Sequence, residues 1–489
     1  MACADTLSRH PEKFKVTIIE REDKCGGQAT SISIDQKKYG AQYLNDGVQG
    51  GSPNFYHTLK FFDHLGYHSS KVDLQISFGK KDTFWTNVFP TETTQRFAKD
   101  IKRFGRMLKI VKWFELLFVI PVWLSLWLFR MSSEFGNVMV YPLMALFLGT
   151  GNQTAYVPTV MLERMFLDPN FKMWDYSPTR LVNNLPEMVA FPNLNDVYKK
   201  WEKVLIERGV EVYTCSSVSR IKRADNKVII DTEGLLETKG MGFDEIVFAI
   251  PADKAKELLA DGARTIEKIV LGNSKFYNDI TITHCDQEYI KKYYERDYKD
   301  YLEGTCNEYD SIPQNDFKPM YFTHSCPQDR SKVEMTFNCT RYQPQFRDKD
   351  ICEIVYQTIF LDMRRETLWT KEEINKDKVI LEKPWHQLGH GWGHYVKVVP
   401  WMGMLNGRKH TWFAGSWMIV NMHEAAIVSG IAAAYMMGAN YPFMADNTSP
   451  FIDGLDNTYN PNRRFGLDFF KKILFLCHYS RLRSAERSL

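Results

Sequence analysis

The opening stretch "MACADTLSRHPEKFKVTIIEREDKCGGQATS", residues 1–31, decides the fold. Within it "ACADTLSRH" reads as an amphipathic helix with Ala2, Ala4 and Leu7 on its inner side. Pro11 ends that helix, because proline lacks the amide that helix continuation requires. "FKVTIIE" alternates and is rich in β-branched residues, so a strand is expected over Phe14 to Ile19, closing on Glu20. An acid at the end of a strand is the group that takes the ribose hydroxyls in a dinucleotide-binding βαβ unit, roughly 20 residues past a glycine-rich loop. Glu20 stands nineteen positions after Met1. The first strand and its glycine-rich loop are therefore expected immediately upstream of Met1. By itself, Glu20 reads equally well as a solvated strand-end carboxylate.

The residues that follow weigh against the second reading. "EREDKCGGQATSISIDQKKYGAQYLNDG" places Gly26-Gly27-Gln28 just past the acid and Gly40-Ala41-Gln42-Tyr43 after a short polar strand. Near the far end, "HTWFAGSWMIVNMHEAAIVSGIAAAYMMGANYPF" (residues 410–443) gives a strand over Thr411 to Ala414, then Gly415 and a helix from about His423. Between them, "ERGVEVYTCSSVSRIKRADNKVIIDTE" and "FDEIVFAIPADKAKELL" read as strand, hairpin, strand and helix. The three blocks together resemble the flavin-containing amine oxidase superfamily. "LGNSKFYNDITITHCD" (residues 271–286) resembles the substrate-domain strand of that group.

The resemblance implies an α/β fold, with a discontinuous Rossmann-like FAD-binding domain and a mixed-sheet and helical substrate domain. The first covers residues 1–65, 196–256 and 400–445. The second covers 66–195 and 257–399, with an apolar helical insertion at 108–149, and a tail follows at 446–489. It also implies FAD as cofactor, held by Glu20, Gly26, Gly27, Gln28, Ala41, Gln42, Val218, Gly415, Ser416, Met422 and His423. Paired glycines let backbone approach a pyrophosphate, and a helix N-terminus aims amides at the flavin. The small residues Ala425, Ala426, Gly430, Ala432 and Ala433 are expected to pack beneath the cofactor.

The departures bear on chemistry. Met422 stands before the His-Glu pair, where true amine oxidases place an aromatic ring, and Ser416 replaces the acid after the Ala-Gly turn. Lys275 is the nearest candidate for a lysine near the flavin, although an exposed strand lysine reads better. Candidates for polar catalytic contacts are His423, Glu424 and His394. His386, His390 and His394 share a four-residue spacing, but Gly389, Gly391 and Gly393 argue against the helix that would group them, so no metal site is assigned.

Bulk properties set limits. A net charge of +3 is too small for a general nucleic-acid binder. Nine scattered cysteines without a CxxC pair fit a reducing, intracellular compartment. From Leu116 to Phe129 there are fourteen residues without a charge, interrupted by Pro121. A spanning helix needs about 20 apolar residues, so this stretch reads as interfacial, with a buried helix and a true span as alternatives. Phe118, Ile120, Trp123 and Leu126 are the side chains expected in lipid, beside the basic run Lys102, Arg103, Arg106, Lys109 and Lys112. The tail residues Phe469 to Arg487 add a second basic, amphipathic segment. The reading is an FAD-dependent oxidoreductase, peripheral or monotopic on a membrane, acting on a lipophilic small molecule by oxidation, desaturation or isomerisation. An amine oxidase and a non-catalytic membrane-associated remnant are the alternatives.

Overall fold

The structure, a computed structural model, describes residues 1–149, 151–168, 172–295, 317–326, 328–346 and 353–443. The strand expected from Phe14 is shorter, Thr17–Ile19. Lys13 and Phe14 turn back instead, both amides donating to the His10 carbonyl at 3.0 Å. Thr17–Ile19 runs parallel to Glu211–Tyr213, with Ile18 opposite Val212. Ile246–Phe248 runs parallel to Thr411–Phe413, and the Phe248 and Phe413 rings stack at 5.4 Å. Among the described residues no strand joins one pair to the other.

The Ala2–Ser8 helix buries Ala2, Ala4 and Leu7 as the spacing predicts, and also Asp5. A buried carboxylate needs partners. Asp5 receives the Arg9 Nε at 2.8 Å and the Trp201 indole N–H at 2.9 Å, and lies 3.1 Å from the Arg208 guanidinium. The His423–Met436 helix packs on the Ala2–Ser8 helix. A Cβ on Gly430 would stand 3.0 Å from the Cys3 amide nitrogen and 3.3 Å from the Ala2 Cβ. At Gly430, the close approach expected beneath the cofactor is made to this first helix.

A seven-stranded sheet forms the second half, in the order Val379–Leu388, Phe276–His284, Tyr356–Phe360, Asp329–Asn338, Tyr321–Cys326, Ile76–Phe78 and Trp85–Thr86. All its pairings are antiparallel except that of Tyr321–Cys326 with Ile76–Phe78. With the parallel pairs and the surrounding helices, this makes the chain α/β. The Ser216–Arg223, Val228–Gly234 and Thr238–Phe243 strands form a separate antiparallel sheet, irregular between Val218 and Arg220.

The apolar insertion folds as several short helices rather than one. Ala98–Trp113, Val122–Leu128, Tyr141–Leu148 and Thr159–Leu167 share one core, where Phe104 meets Phe166 at 5.4 Å. Pro121 separates the first two, and the Val122 amide then donates to the Val157 carbonyl at 2.8 Å. Leu126, expected in lipid, is 3% exposed, and Phe118 and Ile120 are only partly exposed. Among the described residues no helix is long and apolar enough to cross a membrane. This core also takes in Tyr395 and Val420 and abuts Met422 and Ala425, so the insertion rests against the C-terminal motif. The 446–489 tail lies outside the described residues. Cys3, Cys25, Cys215, Cys285, Cys326 and Cys339 are free thiols.

Candidate functional site

Gly26 and Gly27 have φ of 130° and 61°, conformations that glycine adopts without a Cβ penalty. A Cβ on Gly26 would lie 3.0 Å from the Tyr198 ring, which the Leu194–Glu207 helix presents. The Tyr198 hydroxyl is 2.7 Å from His423 Nε2. One aromatic ring thus joins the glycine pair of the N-terminal block to the first residue of the C-terminal helix. Sequence reasoning missed Tyr198, and nothing in its local pattern marks it.

The other ring nitrogen of His423 faces the Thr58 hydroxyl at 3.0 Å. Burial lowers the His423 pKa to about 4, against a smaller upward pull from Glu424, so the ring is neutral near pH 7. Glu424 turns to the Tyr56–His64 helix. Its Oε1 accepts the His57 amide at 3.0 Å and lies 2.6 Å from His57 Nδ1, while Oε2 accepts the Thr58 amide at 2.8 Å. Burial would raise the Glu424 pKa, but the His57 and Thr58 hydrogen bonds and the His57 charge outweigh it and hold it below the usual carboxylate value. These contacts give His423 and Glu424, the catalytic candidates, a structural part. His423 spends both ring nitrogens on Tyr198 and Thr58, and Glu424 spends three hydrogen bonds on the Tyr56–His64 helix, so both side chains couple helices.

His394 is different. It lies on the short Trp392–Lys397 helix, which begins past Gly389 and Gly391 and contains Gly393, and its Nε2 faces the Ile419 carbonyl at 3.2 Å. That contact makes Nε2 the donor, and Nδ1 is a buried acceptor with no hydrogen-bond partner among the described residues. Burial lowers its pKa to about 4. His390, lowered by burial to about 3, accepts the Asn421 amide at Nε2 (3.2 Å) and meets the Tyr395 hydroxyl at Nδ1 (3.0 Å). His386 stays on its strand, between Asn278 and Asp253 at 2.8 Å each. Ser416 donates to the Asn421 side chain at 3.3 Å, and the Gly415 amide donates to Ser429 at 2.8 Å.

Glu20 closes its strand as expected, and its Oε1 accepts the Glu22 amide at 2.9 Å. Gln28 donates to the His386 carbonyl at 3.2 Å, linking the glycine turn to the large sheet. Val218 is half-buried beside the irregular register of its hairpin. Ala41 and Gln42 do not join this group. Ala41 is buried with Tyr39, Leu44 and Cys285, and Gln42 is exposed, bonded to Gln36 at 3.0 Å. The residues just beyond them form a buried polar belt. Asp46, 2% exposed, is 2.7 Å from Lys383 Nζ and accepts the Thr30 hydroxyl at 2.8 Å. Lys383 also lies 4.4 Å over the Trp385 ring, and a Cβ on Gly47 would be 3.0 Å from that ring. Gln49 and Gln357 are joined at 2.6 Å, and Gln357 donates to the Asp46 carbonyl at 2.7 Å. Lys275, the sequence candidate, is exposed and bonded to the Gly272 carbonyl at 3.0 Å, so Lys383 is the lysine this belt contains. The "NDGVQGG" run was the missed signal for Asp46 and Gln49; Lys383 has none.

These residues fit a flavin nucleotide in three respects. Among the described residues the hydrogen bond to Glu20 falls on Oε1, which leaves its second carboxylate oxygen for a ribose. A Cβ on Gly27 would meet nothing within 4 Å. Met422 supplies no side-chain hydrogen bond to the first turn of the 14-residue His423–Met436 helix, leaving its leading amides for an acceptor.

A family model described as an NAD(P)-binding Rossmann-like domain matches residues 1–65. No curated protein matches the sequence. Among solved structures, a fatty acid isomerase from P. acnes that produces CLA superposes with a TM-score of 0.55 at 15% identity, over 88% of this chain and 94% of its own. A protein described as a protoporphyrinogen oxidase from Exiguobacterium sp. 255-15 gives 0.58 at 13% identity, over 89% and 95%. Wild-type putrescine oxidase bound to putrescine gives 0.56 at 14% identity, over 89% and 96%. The chain has the fold of these amine-oxidase-like oxidoreductases, and the resemblance read from the three sequence blocks holds at that level.

Proposed function

We propose that the protein is an FAD-dependent oxidoreductase acting on a lipophilic small molecule. The observation that carries this reading is the Tyr198 junction. Gly26 against its ring and His423 on its hydroxyl bring the two flavin-motif blocks, about 400 residues apart, into one place. The chemistry FAD supplies when bound is hydride acceptance from a carbon centre. Glu20 would hold the adenosine ribose, the Gly26–Gly27 turn would admit the phosphates, and the leading amides of the His423–Met436 helix would meet the ring system. His394 Nδ1, a neutral acceptor, is the group available to hold a proton or orient a substrate hydroxyl. The apolar cluster that reaches Val420, Met422 and Ala425 favours a lipophilic substrate over a charged amine.

The test is to purify the full chain and measure bound flavin by absorbance and release on denaturation. It is then incubated with free fatty acids and with primary amines, following product, peroxide and ammonia. Stoichiometric FAD with turnover of the fatty acids supports the proposal. Ammonia release from amines would replace it with the amine oxidase reading, and failure to bind added FAD would reject it.

A further inference from the structure

One surface of the helical insertion is apolar and open to solvent, and of the four side chains expected in lipid only Trp123 is among the exposed ones. Ile110, Trp113 and Phe114 lie on the end of the Ala98–Trp113 helix and just beyond it, where spacings of three and four bring side chains to one face. Leu116 and Leu117 follow on a single turn, Glu115–Phe118, and are 66% and 69% exposed. Trp127 and Leu128 close the Val122–Leu128 helix at 68% and 51%. Phe118 and Phe129 pack at 6.1 Å between ring centroids, which sets the Leu116–Leu117 turn beside the Trp127–Leu128 end.

The turn is held in place. Glu115 pairs with Arg164 at 3.2 Å, and the Thr159 amide donates to the Ile120 carbonyl at 2.9 Å. Large side chains are thus kept in water by a fixed backbone, and a patch of this kind marks an interaction surface.

Charge selects the partner. Between residues 101 and 133 there are six cations and one acid, and that acid is Glu115, already paired. Lys102, Arg106, Lys109 and Lys112 are exposed along the helix that ends in Trp113, and Arg130 is exposed at the other border. Tryptophans among leucines, fringed by cations, match the headgroup boundary of an anionic bilayer. We propose that the face formed by Trp113, Phe114, Leu116, Leu117, Trp127 and Leu128 docks the protein on an anionic membrane surface, inserting without spanning. This goes beyond the flavin reading and does not depend on it.

The experiment is co-sedimentation of the full chain with phosphatidylcholine vesicles and with vesicles of equal phosphatidylcholine and phosphatidylserine, together with melting temperature and flavin content. Wild type should bind both and favour the mixed vesicles. Replacing Leu116→Ser, Leu117→Ser and Trp127→Ser together should weaken binding to both by more than about tenfold, with melting temperature unchanged. Lys109→Ala with Lys112→Ala should weaken binding only to the mixed vesicles. If the triple variant melts lower, Leu117→Ser alone decides, and it should still weaken binding. Wild type that ignores vesicles, or variants that bind like wild type, would overturn the proposal. So would a wild-type oligomer that the triple variant dissociates without any vesicle binding, which would assign the face to protein contacts.

Discussion

The Glu424 carboxylate meets three polar groups of the Tyr56–His64 helix: two backbone amides and the His57 ring. It supplies across space what a capping side chain supplies within one helix. Glu424→Gln keeps the shape but removes the charge and one acceptor. A loss of about 1.5–3 kcal/mol is expected in urea unfolding, with flavin content retained. Its pKa is depressed on folding, so this contribution is complete above the unfolded carboxylate range and disappears as pH falls through the folded value. Tyr198→Phe tests the junction from the other side. It leaves the ring against Gly26 and strands His423 Nε2, a cost of about 1–3 kcal/mol in the same assay. Glu20→Ala should act on the ligand instead, weakening FAD binding by about 1.5–3 kcal/mol with unfolding unchanged. Unchanged affinity would leave Glu20 a surface carboxylate. In the sequence, His423 and Glu424 look catalytic because they are adjacent polar residues opening an apolar helix. Their partners Thr58 and His57 lie more than 360 positions away, and no local pattern announces them.

At the scale of elements, what was legible was what periodicity encodes. The Ala2–Ser8 and His423–Met436 helices, the Thr411–Phe413 strand and the Ser216–Gly234 hairpin all stand where apolar spacing and β-branched residues put them. What periodicity cannot encode is which element a face meets. Gly430 was read as the seat of a cofactor, yet its missing Cβ admits the backbone of Cys3. Gly430→Val should therefore separate the two helices, at a cost of about 1–3 kcal/mol, and make the first helix the early site of limited proteolysis. Cleavage elsewhere first would mean that the Ala2–Ser8 helix is held from its other side. The apolar run shows the same limit. Pro121 interrupts the helical phase, so composition suggested insertion by Leu126, while the fold turns Leu126 inward and Leu117 outward. Lys383 and Asp46 make the further point that a salt bridge between residues 337 positions apart leaves no trace in either segment.

Across the whole molecule, acid sensitivity follows from histidines that folding keeps neutral. His284, His390, His394 and His423 are all buried, and burial lowers their pKa values to about 4, 3, 4 and 4 from an ordinary 6.5. Below pH 6.5 the unfolded chain takes up a proton at each of these sites and the folded chain does not. The unfolded state then binds more protons, so stability falls as pH drops, across a window from 6.5 down to about 4. Each such histidine contributes a slope of up to about 1.4 kcal/mol per pH unit within that window. Glu163, Asp279 and Glu334, which burial raises to about 7, take up protons in the folded state over the same window and offset part of this slope. Urea unfolding between these limits should show the difference, a net loss. Replacing one member separates this cause from the carboxylates. His394→Leu should remove up to about 1.4 kcal/mol per pH unit from the slope between pH 6 and pH 5, whatever it does to absolute stability. An unchanged slope would mean that His394 takes its proton in the folded state. That would require water or a ligand group at Nδ1, the same buried acceptor offered for substrate contact.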